Sequence, residues 1–354
     1  MRILAIETSC DETSAAVVEE INQNIKVLSN ITATSLAIHA TTGGIIPENA
    51  AREQVKYIIP TIAKALNESR SKNNESWEIA RDILTEDIDA IAVTAGPGLV
   101  GSLLIGVETA KTLSFVFNKP IIEVNHLLAH LFANFIDKPK IEFPFIGLVI
   151  SGGHTDLLIF KSITQYKWLG GTRDDAAGEA LDKIGRLLNL PYPAGPEIEK
   201  RAQEFQGSTL KFHSPMIDTP DFEFSFSGLK AETSRFIYDS LAKRGDGHLT
   251  ERLINEICGA VQAAIFNVVV KKTIRAANLF KTHSIVLGGG VSANQTLFKQ
   301  FEKTAKSDLP HVKIFAPKKE FATDNAAMIG TYALLNPQVS HRSKLKANPD
   351  LYFD

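Results

Sequence analysis

His126 and His130 stand four residues apart in VNHLLAHLFA (124–133), among side chains that are otherwise apolar. On a helix, positions i and i+4 share a face, so both imidazoles can address one ion. The same spacing also suits two core histidines bonded to backbone groups. The zinc-protease pattern HExxH needs a glutamate after the first histidine, and Leu127 occupies that place, which removes protease chemistry. A third ligand has to come from a distant segment. Asp324, at the head of the apolar stretch TDNAAM, is the candidate, with a plain helix N-cap as its other reading. Two histidines and a carboxylate with open positions suit ferrous iron or zinc, and an open position can polarise a substrate oxygen.

Two glycine loops come next, SGGHT (151–155) and LGGGVSAN (287–294). Exposed backbone N–H groups at a turn or helix start suit phosphate. Neither loop matches GxxxxGK[ST] or GxGxxG, so each alone also reads as a tight turn without a ligand. Acids cluster in ETSCDET (Glu7, Asp11, Glu12) and RDDAAGEALDK (Asp174, Asp175, Glu179, Asp182). They could hold a magnesium–nucleotide or ribose hydroxyls, or serve as turn and cap charges. Basic runs are short: KPK (138–140), KK (271–272), PKK (317–319) and HRSKLK (341–346). They read as solvated charge, with an RNA-facing patch as the alternative.

The elements that must position these residues alternate between strand and helix. RILAIETSCDETSAAVVEE predicts a hairpin, with strands at Ile3–Ile6 and Ala15–Val18 around a polar turn. Pro47 opens a helix in which Val55, Ile58, Ile59, Ile62 and Leu66 fall at helical spacing. Residues 67–87 are polar and begin as an exposed loop. IDAIAVTAG (88–96) is a buried strand, GPGLVGSLLIG a glycine turn into a helix, and PIIEV (120–124) a strand leading into the histidine helix. GLVISGGHTDLLIF then echoes the opening hairpin, a weak internal duplication. Residues 174–260 read as helical and irregular. HSIVLGGGVSANQTLFKQFEK is strand, loop and helix, and TDNAAMIGTYALL a helix capped by Thr or Asp. Alternation of this kind predicts an α/β fold, and two similar halves predict two lobes with a ligand cleft between them.

With 354 residues, 44% hydrophobic and 22% charged, the composition is globular and long enough for more than one core. A net charge of −2 gives no global field for nucleic acid, so RNA contact would need local patches. Two cysteines, Cys10 and Cys258, exclude a disulfide framework and point to a reducing compartment. No apolar run is expected to span a bilayer, and MRILAIETSCDE has neither signal nor transit character. The expectation is a soluble, cytoplasmic protein with no membrane association.

Taken together, IETSCDETSAAVV, GGIIPENAAREQ, TAGPGLVGSLLIG, NHLLAH, VISGGHTDLL, DDAAGEALDKIGRLL, YPAGP, FSFSGLK, GGGVSAN and TDNAAMIG resemble the TsaD family in order and almost end to end. These are the tRNA threonylcarbamoyladenosine transferases, once called glycoprotease-like, and the spacing resembles the bacterial form. The resemblance implies an actin-like fold of two ribonuclease-H-like lobes. It implies a first lobe at 1–125, a metal-binding helix and connection at 126–142, and a second lobe at 143–320 with a helical insertion at about 174–260. The segment 321–354 would return to the first lobe. It implies metal ligands His126, His130 and Asp324, with iron(II) as the metal; magnesium with a bound nucleotide stays with the acidic turns above. Substrate contacts would fall on Val149, Ile150, Ser151, Gly152, Gly153, Asp182, Gly195 and Asn294, with Asp11 and Glu12 facing the reacting centre. Asn125 and Gln54 stand where many relatives have histidine. The implied reaction moves threonylcarbamoyl from threonylcarbamoyl-adenylate to N6 of adenosine 37, just 3′ of the anticodon, in tRNAs reading codons that begin with A, releasing AMP. A TsaB-like paralogue and a TsaE-like ATPase are the implied partners. Rival readings are a small-molecule kinase on the same fold, and a non-catalytic partner subunit. The kinase has no need of HxxxH with a distant Asp, and the partner subunit lacks the metal histidines.

Overall fold

The run ILAI forms the middle of β1 (Arg2–Glu7), and four consecutive buried apolar residues show that both its faces are covered. It pairs antiparallel with β2 (Glu12–Ile21), Ile6 opposite Ala15, as the opening hairpin predicts. β3 (Asn24–Thr34) extends the meander where the sequence reading assigns no element. Its interspersed Asn, Ser and Thr suit a sheet edge with one wet face, a pattern without a strong apolar signal. The computed structural model describes residues 1–34, 46–71, 76–137, 141–204, 209–244 and 248–353. The GGI of GGIIPENAAREQ and the KPK run at 138–140 lie outside the described residues.

Helix α1 (Pro47–Ser69) carries Pro47 in its first turn and buries Ile58, Ile62, Ala65 and Leu66. Residues 77–86 form α2 (Trp77–Glu86), a helix inside the stretch read as polar. Ser76 caps it, and its short apolar face, Ala80, Ile83 and Leu84, is buried. β4 (Ala90–Gly96) adds parallel to β1, α3 (Val100–Val116) follows the glycine turn, and β5 (Ile121–Asn125) adds parallel to β4. The histidine helix α4 (His126–Phe132) starts directly off β5, and all seven of its residues are buried.

The pattern then recurs. β6 (Phe145–Ile150), β7 (Thr155–Phe160) and β8 (Tyr166–Gly171) form a second antiparallel meander. Four helices follow, α5 (Ala177–Leu187), α6 (Ala194–Glu204), α7 (Ser227–Arg244) and α8 (Glu251–Leu279). β9 (Ser284–Gly288) returns parallel to β6, α9 (Gln295–Asp308) follows the second glycine loop, and β10 (Lys313–Phe315) closes the sheet. The order β10-β9-β6-β7-β8 repeats the order β5-β4-β1-β2-β3, so the weak duplication in the sequence is a duplicated topology.

The expectation that no apolar run could span a bilayer is corrected by α8, which is long and apolar enough to do so. Its composition has another cause here. Ile257, Val261, Ile265, Phe266 and Val269 are fully buried in the core over β6 and β9, so α8 is apolar on several sides because protein surrounds it.

The chain ends with α10 (Lys319–Ala322), α11 (Ala326–Leu335) and β11 (Val339–Ser340), the last pairing with β5. The contacts divide the molecule into two compact units, Met1–Ile141 with Pro317–Asp354, and Glu142–Ala316. α11 is buried from Ala326 to Leu334 and lies on β1 and β2. Gly330 allows that approach, since a Cβ there would stand 2.6 Å from Val18 Cγ2. The N-cap of α11 is Asn325, whose side chain accepts the Met328 N–H, and not Thr323 or Asp324 as expected. Both Asp and Asn cap well, so local preference did not decide between them. The cap role falls to Asn325 and leaves the Asp324 carboxylate for another use.

Candidate functional site

Asn125 fixes the start of α4. Its Oδ1 accepts the backbone N–H of Leu127 at 2.9 Å and of Leu128 at 3.1 Å. Leu127, Leu128, Leu131 and Phe132 are buried, which locks the rotation of the helix. His126 and His130 are then held with ring centroids 4.6 Å apart. Asp324, arriving from the turn before α11, puts Oδ1 3.2 Å from His130 Nε2 and 3.6 Å from His126 Nε2. One donor atom from each of the three lies within 4.8 Å of the others. The three residues inferred as ligands are therefore brought together across some two hundred positions of sequence.

The arrangement fits a cation. Both ring nitrogens of His130 are buried; among the described residues Nδ1 has no hydrogen-bond partner and Nε2 faces the Asp324 carboxylate at 3.2 Å, an arrangement that suits a cation between them. Asp324 is partly exposed while both histidines are buried, so the cluster is open on the carboxylate side. The His126 side also has a second layer that sequence reasoning missed. Glu7 Oε2 lies 3.0 Å from His126 Nδ1, and Glu7 itself is fully buried. Nothing in its local sequence distinguishes Glu7 from the other acids of ETSCDET.

Charges in this cluster oppose burial. Burial draws the His126 imidazole down, but the carboxylates of Glu7 and Asp324 outweigh it and leave it at about 9. Burial alone would raise Glu7, yet the His126 charge and hydrogen bond hold it below the carboxylate range. Burial keeps His130 below its ordinary value. Glu12 is pushed up to about 10, first by burial and then by the charges of Asp324 and Asp11. The turn carrying Asp11 and Glu12 is pinned by Gln54, whose Nε2 donates to the carbonyls of Cys10 (3.1 Å) and Glu12 (2.9 Å).

In the second unit, Val149 and Ile150 end β6 with buried side chains, so they can offer only backbone to a ligand. The turn after them is closed by Ser151 N donating to His154 O, and by His154 N donating to Ser151 Oγ. A Cβ at Gly152 or Gly153 would meet nothing within 4 Å among the described residues, so within this unit the edge is open. Gly289 has φ +92°, and a Cβ there would lie 2.5 Å from Ile150 O. The two glycine loops are thus packed on each other. Asn294 caps α9 through Leu297 N (3.0 Å), and its Nδ2 donates to Gln262 Oε1 (3.1 Å). Asp182 on α5 accepts the Ala194 N–H at 2.7 Å, beside Gly195, and Glu199 accepts the N–H of Gln295. These bonds tie the first turn of α6 to α5, and the middle of α6, at Glu199, to the start of α9 beside Asn294. Gln262 and Glu199 are long-range partners with no local sequence signal. Asp174 is taken up as a cap, accepting from Ser225 Oγ, Phe226 N and Ser227 Oγ, and Asp175 pairs with Lys183.

Asp156, next to the first loop, gives a pH prediction. Burial raises its carboxyl to about 6, against the Trp168 hydrogen bond that lowers it. A raised folded-state value means the protonated form is favoured by folding. That contribution is present below about 4 and is lost as pH rises through about 6. Asp156→Asn keeps the acceptor for Trp168 Nε1 and removes the buried charge. The variant should be more stable than the parent at pH 7 to 8, by roughly 1–3 kcal/mol, with the gap closing toward pH 4. Urea unfolding across that range checks it. An equal or lower stability of the variant at pH 8 would contradict it.

The family model for TsaD, tRNA N6-adenosine threonylcarbamoyltransferase, matches residues 26–331. The chain belongs to the TsaD family. The TsaD-family tRNA N6-adenosine threonylcarbamoyltransferase of Moorella thermoacetica is 41% identical over 353 residues, covering 99% of this chain and 96% of that protein. That of Thermosipho africanus is 40% identical over 357 residues, covering 99% of each. Among solved structures, HypF from T. kodakarensis matches with a TM-score of 0.55 at 13% identity, over 94% of this chain and 47% of that one. That likeness concerns fold alone. The architecture is the actin-like α/β fold that the TsaD resemblance implies, with its duplicated sheet.

Proposed function

We propose that this chain transfers threonylcarbamoyl from threonylcarbamoyl-adenylate to N6 of adenosine 37 in tRNAs reading codons that begin with A, releasing AMP. The observation that carries this reading is the His126–His130–Asp324 cluster, built in a TsaD-family chain around the buried His130. The adenine amine is a weak nucleophile, because its lone pair is delocalised into the ring. Catalysis therefore has to orient the acyl carbon and manage charge and protons.

His126, His130 and Asp324 would hold the metal, iron(II) in this reading, which supplies Lewis-acid stabilisation of charge developing on the acyl group. The backbone of Val149 to Gly153, with Asp182, Gly195 and Asn294, holds the adenylate; the open edge at Gly152 and Gly153 supports this. Magnesium, where present, arrives with the nucleotide. Burial and the charges of Asp324 and Asp11 push Glu12 up, and in its protonated form it would act as a hydrogen-bond donor. The role of proton acceptor from the amine falls to Asp11.

A TsaB-like paralogue is the partner we assign to α1 and α3, and a TsaE-like ATPase completes the set. Val55 and Ile59 on α1, and Val100 and Leu104 on α3, are exposed apolar side chains on helices that touch at Ala51 and Gly101. The setting is cytoplasmic, in keeping with two free cysteines. The test is to incubate the protein, with and without both partners, with threonylcarbamoyl-adenylate and unmodified tRNA. Mass spectrometry of digested nucleosides should show threonylcarbamoyladenosine. ATP hydrolysis with no modified nucleoside would contradict the reading in favour of a kinase.

A further inference from the structure

We infer that Glu7 is the positioning residue of the metal centre: held by Thr94 and Ser9, it fixes the proton of His126 on Nδ1 and leaves Nε2 as the ligand atom. This rests on the metal reading above. Thr94 Oγ1 donates to Glu7 Oε2 at 2.5 Å, and Ser9 N donates to Glu7 Oε1 at 2.5 Å. The oxygen that receives Thr94 also faces His126 Nδ1 at 3.0 Å. Ser9 Oγ stands 3.2 Å from the same nitrogen.

An ionised carboxylate only accepts, so the proton facing it stays on Nδ1, and it is Nε2 that gives up its proton and offers its lone pair to a metal. Nε2 is the nitrogen that faces Asp324. Glu7 is 1% exposed and Thr94 and Ser9 are buried, so the arrangement cannot relax into water. Burying a carboxylate is costly, and its placement against one imidazole edge gives that cost a purpose. Glu7 lies on β1, Thr94 on the neighbouring β4, and Ser9 in the turn after β1. Sheet geometry therefore sets the ring orientation of a residue on α4.

Glu7→Gln tests the tautomer directly. Its carbonyl has to take the Ser9 N–H, which places the amide NH2 against His126 Nδ1. That donor forces the proton to Nε2 and removes the ligand lone pair. Zinc affinity of the metal-stripped protein, read by competition with a chelating dye, should fall by about 10- to 100-fold. Thr94→Val, which touches no ligand, should weaken zinc several-fold, while Thr94→Ser keeps the donor and the affinity. Circular dichroism establishes that each variant is folded. A folded Glu7→Gln protein with unchanged affinity would overturn the inference. Should that variant not fold, equal affinities for Thr94→Val and Thr94→Ser would overturn it instead. His130→Ala is the control: undiminished zinc binding there would sink the metal reading itself, and this inference with it.

Discussion

Replacing His130 with alanine is expected to lower threonylcarbamoyl transfer on the order of 10³-fold, the ~4 kcal/mol that a Lewis acid supplies. The protein should still fold. His130 is 1% exposed, and among the described residues its Nδ1 has no hydrogen-bond partner. Alanine removes this unsatisfied polar atom together with the ring's packing and its Asp324 contact, and these effects oppose each other. Metal-free stability should therefore shift by less than about 2 kcal/mol. A calorimetric scan of both metal-free proteins checks the second half of the expectation. A variant that transfers at the parent rate would make His126 and His130 ordinary core residues.

Asp11→Asn should lower turnover by about 10²- to 10⁴-fold while leaving adenylate affinity in place. The contrast with its neighbour makes this specific. Burial and the nearby charges of Asp324 and Asp11 favour the protonated form of Glu12, and glutamine imitates that form. Glu12→Gln should stay within about fivefold of the parent. Single-turnover rates, with adenylate affinity measured separately by calorimetry, distinguish the two variants. Equal losses in both would mean that Asp11 acts through the acidic turn as a whole and is not the proton acceptor.

Much of the fold was legible because buried strands announce themselves. ILAI, IAV and LVI are apolar throughout, and each is covered on both faces. β3 was not legible, since an edge strand with Lys26, Ser29, Asn30 and Thr32 carries no such run. α2 was hidden by its polar face, which outnumbers a buried stripe of only three residues. The histidine pair was legible from spacing alone, because i and i+4 meet on any helix. That Asp324 serves as the distant carboxylate while Asn325 caps α11 depends on how α11 seats against β1 and β2, and no local preference encodes it. Glu7 and Gln262 were invisible for a related reason. Each acts on a residue far off in sequence, His126 or Asn294, and only the folded sheet or helix brings them to it. α8 was passed over as an apolar run of spanning length. Its apolar surface is matched to a protein core, and length with composition cannot separate that from a bilayer.

The most direct test of the central claim is single-turnover transfer from labelled threonylcarbamoyl-adenylate to unmodified tRNA by metal-stripped protein. Label in tRNA should be lost on stripping and return when iron(II) is added back under anaerobic conditions. In the His130→Ala variant it should not return. Full transfer by the stripped protein, or full recovery by the variant, would contradict a transferase that works through His126, His130 and Asp324.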